Sequence, residues 1–257
     1  MPAQQQPAAS SPKLTPAEME EFLRTAKILE RRTIPVGVTA PQRATLSDGS
    51  LTHDAQIQPV DIFMLEFQTS RGREMNFRDS WKFNIAAYRL DRILELNMIP
   101  MSVERRVDNK PAAVTWWLDD VLMTENDRVK KKVQPPDPAA WDKLVDIMRV
   151  FDELISNFDR NQGNIAITKD WKLWMIDHTR AFRGLKGLSN PQTLKRCERK
   201  LLAGMRALNE EVLTRELTPY LNRDQVRGLL GRRDRIVKLF DEQIATKGEA
   251  AVLYDRP

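Results

Sequence analysis

A chain of 257 residues, 41% apolar and 30% charged, is long enough for one large domain or two small lobes with a sizeable core. A single cysteine, Cys197, excludes an internal disulfide and argues against a cysteine-based metal site, and two histidines, His53 and His178, leave a zinc enzyme short of its usual ligands. The net charge of +5 is scattered, with short basic runs at 128–132 and 227–238, so it reads first as solvated faces and second as attraction to an anionic partner.

No apolar run reaches the ~18–20 residues that cross a bilayer. Residues 1–13 are rich in Gln, Pro, Ala and Ser and lack the basic-then-apolar pattern of a secretory leader. They predict a disordered start and, by default, a cytoplasmic chain, with an exported form left open if a leader has been removed. Thr15-Pro16-Ala17-Glu18 is a capping box with proline at the first helical position. Met19, Phe22, Leu23, Ala26 and Leu29 carry that helix to 31–32. Over 33–60 the period changes: Ile34, Val36 and Val38 alternate, and runs at 44–47 and 51–58 flank Asp48-Gly49, a hairpin turn whose residues tolerate positive φ. Residues 61–67 predict an edge strand and 68–76 a mobile loop. Trp81, Ile85, Tyr88, Leu90, Ile93 and Leu94 give a helix over 79–95 a broad apolar face, ended by Asn97-Met98-Ile99-Pro100. A second hairpin is expected at 103–107 and 112–118. A polar loop then runs from Trp116-Trp117-Leu118-Asp119-Asp120 to Pro138. Asp137-Pro138 opens a long buried helix bearing Trp141, Leu144, Met148, Phe151, Leu154 and Phe158. Helices follow at 191–209, 210–220 and 224–244, with Cys197 in the first. The expected organisation is α+β: a tail over 1–13, a small antiparallel β lobe with one packed helix over 14–120, and a mostly helical lobe with one hairpin over 121–257.

The chemistry concentrates in Phe158-Asp159-Arg160-Asn161-Gln162-Gly163-Asn164 and in Ile176-Asp177-His178. Runs at 164–168 and 172–176 about a turn at Lys169-Asp170 predict a hairpin that sets Asn164 opposite Met175 or Ile176, with Asp177 one step beyond. An amide and a carboxylate side by side suit magnesium, which prefers oxygen ligands. A free carboxylate beside them, Asp159, can orient and deprotonate a hydroxyl. Arg160 would brace the loop or neutralise charge. Trp171 and Trp174 fit core packing, and His178 either caps the strand or touches metal or phosphate.

Asp159-Arg160-x-x-x-Asn164, a hairpin and then Ile176-Asp177-His178 resemble the catalytic and metal-binding segments of the phosphoinositide 3-/4-kinase-like branch of the protein-kinase-like superfamily, which includes bacterial members. Tyr88-Arg89-Leu90-Asp91 through Pro100 resembles the helix and following strand of its N-lobe. The resemblance covers about residues 33–185. It implies a bilobal protein-kinase-like fold that binds ATP and Mg2+, with Asp159 as catalytic base and Asn164 and Asp177 as metal ligands. It also implies a hinge at 116–120 whose Trp117 and Leu118 meet the nucleotide. Two departures stand out. Gln58 occupies the place of the strand lysine and Asn84 that of the helix glutamate, the pair that normally holds the phosphates. A glycine-rich phosphate loop is also not evident, so either Lys82, Arg43 or Arg73 meets phosphate or nucleotide binding is weakened. The leading expectation is a kinase acting on a hydroxyl acceptor, whether protein, lipid headgroup or small molecule. The alternative is a pseudokinase, a nucleotide- or protein-binding scaffold. A nucleic-acid binder built on 191–247 is set aside, because Arg227, Arg232, Arg233, Arg235 and Lys238 only partly supply a basic face.

Overall fold

The computed structural model describes residues 14–34, 41–69, 72–158 and 160–256. The alternation at Val36 and Val38, the residues 1–13 and Asp159 lie outside them. Helix α1 (Pro16–Thr25) starts at the expected capping box, with Thr15 and Glu18 serving each other's backbone N–H. It stops six residues early, because Lys27–Thr33 forms strand β1 on the sheet edge and Leu29, expected on the helix face, is exposed. Strands β2 (Gln42–Ser47) and β3 (Thr52–Gln58) make the Asp-Gly hairpin, with Gly49 at φ 95° and the Asp48 carboxylate accepting from the N–H of Ser50 and Leu51. Residues 61–67 form a strand as expected, but the stretch expected to be a loop contributes to both strands of a separate hairpin, β4 (Asp61–Thr69) with β5 (Gly72–Ser80). Its cross-strand pairs supply the order that its composition hides.

Helix α2 (Lys82–Ile93) leads to β6 (Ser102–Val107) and β7 (Lys110–Trp116), joined at Asp108-Asn109 with both φ positive. The sheet order β1-β2-β3-β7-β6 is antiparallel throughout. One of its faces is covered by α1, where Phe22, Leu23 and Ala26 pack with Ala44, Leu46, Ile57, Val103 and Val114. The chain leaves this sheet at Trp117. The expected polar loop contains a strand, β8 (Val121–Thr124), and a short capped helix, α3 (Glu125–Lys131). β8 was invisible as a four-residue run because its partner is β9, some 40 residues later.

Asp137 caps α4 (Pro138–Ile155) by accepting from the N–H of Ala140, and Ser156 ends it in a left-handed turn before Phe158. Then come β9 (Ile165–Thr168) and β10 (Leu173–Met175), which complete the three-stranded order β10-β9-β8. The rest is helical: α5 (Arg199–Ala207), α6 (Glu210–Leu217), α7 (Arg223–Lys247) and α8 (Glu249–Val252). The first of these begins eight residues later than expected. Cys197, expected in a charged helix, is buried in the two-residue strand β11 (Cys197–Glu198), paired parallel to β12 (Leu253–Tyr254). The large core joins α4, α5 and α7 to the buried face of α2, so α2 packs across both lobes.

Candidate active site

Two local structures build the site. In the β9–β10 hairpin Ile165 pairs with Met175, and the Ile176 N–H donates to the Asn164 carbonyl at 3.1 Å. Asn164 therefore faces Ile176, and Asp177 follows at the same open end. Asp177 takes φ 56°, a left-handed conformation that asparagine and aspartate tolerate better than most residues. Thr179 Oγ1 donates to its Oδ1 at 3.1 Å. The Asp177 carboxylate is reached by solvent but crowded by the cleft walls. That crowding, aided by the neighbouring charge of Asp79, raises its pKa above the usual value, while the Thr179 bonds and Arg160 oppose the rise. The Asn164 side chain is half-buried and makes no hydrogen bond to the described residues.

Arg160 fastens this end in place. Its Nε and Nη2 bind both oxygens of Asp152 on α4, each at 3.0 Å. Its Nη1 donates to the carbonyls of Asn164 at 3.0 Å and Ile176 at 2.6 Å. Nη2 also meets His178 Nε2 at 2.9 Å, which makes that nitrogen the acceptor. Burial and the adjacent guanidinium push the His178 pKa well below the usual imidazole value, so the ring is neutral. His178 thus faces the brace rather than open solvent.

The first lobe reaches the same place through α2 and β5. Asn84, buried on α2, accepts the N–H of His178 at 2.8 Å on its Oδ1. The Ser80 N–H donates to the Thr179 carbonyl at 2.8 Å, and Arg180 Nε donates to Asp79 Oδ2 at 3.0 Å. Asn84, Arg160, Asn164 and Asp177 are therefore gathered at one junction between the lobes. Gln58 lies buried at the end of β3, where its Oε1 accepts the Val60 N–H at 3.2 Å. Trp117 and Leu118 lie at the crossing from β7 to β8. There the Trp117 N–H donates to the Asp54 carbonyl at 3.1 Å, and Arg43 stacks over the Trp117 ring at 4.3 Å. The cations considered for phosphate already hold carboxylates: Arg43 with Asp54, Lys82 with Asp61 at 3.3 Å, and Arg73 with Glu66 at 3.1 Å.

Sequence reasoning missed Asp152 and Asp79. Asp152 had a visible signal, since it is a charge on the apolar face of a buried helix, where an unpaired acid is costly. Asp79 gave none, because the sequence puts it at the start of the helix expected over 79–95, whereas it is buried at the end of β5. A groove of about 1530 Å3 opens beside the site between β4–β5 and the second lobe, with Phe63, Arg78, Arg160, Arg180, Arg183 and Lys186 along it. Among the described residues no three His, Cys, Asp or Glu side chains gather into a metal cluster, and no helix is long and apolar enough to cross a membrane.

No family model and no curated protein matches this chain. Solved structures do. A hydra Fam20 structure with sugar is 16% identical and superposes with a TM-score of 0.69 over 93% of this chain and 92% of that one. A Golgi casein kinase with Mn/ADP bound is 16% identical, with a TM-score of 0.67 over 94% and 80%. The Helicobacter pylori proinflammatory kinase CtkA is 12% identical, with a TM-score of 0.52 over 88% and 98%. At these identities the likeness establishes the fold, which is α+β and protein-kinase-like, with an antiparallel first lobe and a helical second lobe.

Proposed function

We propose that this chain is a phosphotransferase that moves the γ-phosphoryl group of ATP to a hydroxyl acceptor. The observation that carries the proposal is the junction where Asn164 and Asp177, fixed by Arg160 to Asp152, meet Asn84 of the other lobe. An amide with no hydrogen bond to the described residues and a solvent-reached carboxylate are oxygen donors of the kind that Mg2+ and Mn2+ take, with waters and phosphate oxygens completing the shell. A bound cation would neutralise phosphate charge. Asp159 is the base in this reading on its place in Asp-Arg-x-x-x-Asn, since it lies outside the described residues. Trp117 and Leu118 would meet the nucleotide base at the crossing between lobes, and Gln58 would approach its phosphates without adding charge. The groove lined by Arg78 and Arg180 gives the acceptor an entrance. The motif order also leads us to place the chain with the phosphoinositide 3-/4-kinase-like branch. The Mn/ADP complex of the Golgi casein kinase is a precedent for nucleotide and divalent metal on this fold.

A pseudokinase is the second reading, favoured by Gln58 and Asn84 standing where a phosphate-holding ion pair is expected. Calorimetry with ATP and Mg2+ or Mn2+, followed by hydrolysis and acceptor phosphorylation assays, separates the two. The enzyme requires binding in wild type, loss of binding in Asp177→Ala, and binding without turnover in Asp159→Ala. Absence of nucleotide binding would sink the enzyme reading. Binding with no turnover on any acceptor, unchanged in Asp159→Ala, would favour the scaffold.

A further inference from the structure

We infer that Asp79 is a further oxygen donor to the divalent cation, so that the cation sits between β5 of the first lobe and the hairpin end of the second. The inference rests on the cation site proposed for Asn164 and Asp177.

Three observations on Asp79 lead there. Its side chain is about 3% exposed, and one oxygen, Oδ2, receives Arg180 Nε at 3.0 Å. Its other oxygen, Oδ1, is buried with no hydrogen-bond partner. A buried acceptor left unpaired costs about 1–3 kcal/mol, more when charged, and such atoms are rare enough in folded proteins to need a reason. A cation that is absent from the protein chain itself is such a reason.

The second observation is position. β5 ends against the segment that follows Asp177, through the Ser80 N–H to the Thr179 carbonyl at 2.8 Å. Asp79 precedes Ser80, and its partner Arg180 follows Thr179, so the carboxylate lies beside the 177–180 turn. Asp177 commits Oδ1 to Thr179, and its Oδ2 makes no hydrogen bond to the described residues. Each carboxylate thus has one engaged oxygen and one left over. Arg180 offsets the Asp79 charge from the Oδ2 side, and a cation between the two remaining oxygens would offset what is left.

The third observation is what α2 cannot supply. Asn84 spends its Oδ1 on the His178 N–H and carries no charge. A carboxylate arriving from β5, five residues earlier, restores the second negative charge that the cation would otherwise lack. Asp79 and Asp177 together then offer a dication two carboxylates, with Arg180 on the other oxygen of Asp79 and Arg160 held by Asp152.

The test uses Mn2+ as the probe on the full chain, by electron paramagnetic resonance of free Mn2+, by calorimetry, and by the rise in melting temperature on adding Mn2+, with and without ADP. Asp79→Asn is expected to weaken Mn2+ at least tenfold, as is Asp177→Asn. Arg180→Gln removes the hydrogen-bond partner of Asp79 Oδ2 but leaves its carboxylate, so Mn2+ affinity should hold or rise. If Asp79→Asn does not fold, Asp79→Glu keeps the charge and displaces the oxygens, and a tenfold change is expected there too. Wild-type affinity in Asp79→Asn, or in a folded Asp79→Glu, with loss in Asp177→Asn, overturns the role of Asp79 and leaves the cation site standing. Equal losses in Asp79→Asn and Arg180→Gln would mean that Asp79 only holds Arg180, and would also overturn it. No Mn2+ binding by wild type under either condition would overturn both the site and the inference.

Discussion

Arg160→Met tests the brace directly. Methionine keeps most of the volume and removes the guanidinium. The Arg160 side chain is 8% exposed and serves Asp152 twice, two backbone carbonyls and His178. After the change Asp152, with its side chain 12% exposed, keeps Asn157 Nδ2 at 2.9 Å as its one partner among the described residues. Removing one partner of a buried pair costs about 3–5 kcal/mol. We expect the low end, because the site borders a solvent cleft. For a chain of this size about 3 kcal/mol lowers the melting temperature by roughly 10 °C. Circular dichroism melts and urea titrations read this out. Arg160→Lys should recover only part of the loss, since an ammonium lacks the fork that grips both oxygens of Asp152 while reaching the carbonyls. The pair Asp152→Leu with Arg160→Met should lose less than the sum of the two single changes, because the stranded charge is gone. A shift under about 3 °C in Arg160→Met, or strictly additive losses in the double variant, would refute the brace.

Two further tests probe the surrounding scaffold. Asp91 is fully buried, accepting from Met98 N–H at 2.8 Å and Arg92 Nε at 2.9 Å, and burial raises its pKa above the usual carboxylate value. Its folded pKa therefore exceeds the unfolded one of about 3.9, so its contribution is most favourable below that pH and is lost as pH rises through the folded value. Asp91→Asn, neutral throughout, should gain stability relative to wild type as pH rises from 4 to 7 in urea titrations; a gap that moves the other way counts against the assignment. Gly228→Ala places a Cβ 3.0 Å from the Gly184 backbone, and should cost about 1–3 kcal/mol in urea, whereas Gly184→Ala, with nothing nearer than 4.0 Å, should cost much less. Similar losses in both would show that the close approach of α7 to the 183–185 segment is not what Gly228 serves.

What could be read from the sequence was what neighbouring residues decide. Thr15 with Glu18, Asp48-Gly49 and Asp137-Pro138 each act within four residues, and each begins or turns an element where expected. The β9–β10 hairpin followed from a local turn, which runs over Lys169, Asp170 and Trp171 and sets Asn164 opposite Ile176, one step from Asp177. β1 was hidden because Leu29 continues the helical spacing of Phe22, Leu23 and Ala26, and only pairing with β2 reveals the strand. β4 was expected over 61–67, but β5 was hidden for the opposite reason: Arg73, Met75, Asn76 and Arg78 are exposed and polar residues dominate, so the strand reads as a loop. Asp79 and Asp177 stand 98 positions apart, and no local pattern encodes their proximity.

The way α2 is held bears on how such a site can be controlled. In protein kinases the Lys–Glu pair ties the helix to the nucleotide, and positioning that helix is a means of regulation. In the proposed reading Gln58 and Asn84 stand in those two places and cannot make an ion pair; α2 is secured by other means. Phe83, Ile85, Ala86, Leu90 and Leu94 belong to the same apolar core as Phe151 and Leu154 of α4 and Phe240 of α7. At about 25 cal/mol per Å2 of apolar surface, swinging such a face into water costs several kcal/mol. Asn84 adds a neutral hydrogen bond to the His178 N–H, and Arg89 Nη1 donates to the Glu216 carbonyl at 2.7 Å. A helix anchored by packing stays in place with or without phosphate nearby. In the proposed reading Asn84 brings no negative charge to the cation, and Asp79 on β5 would supply it from the other side of the cleft.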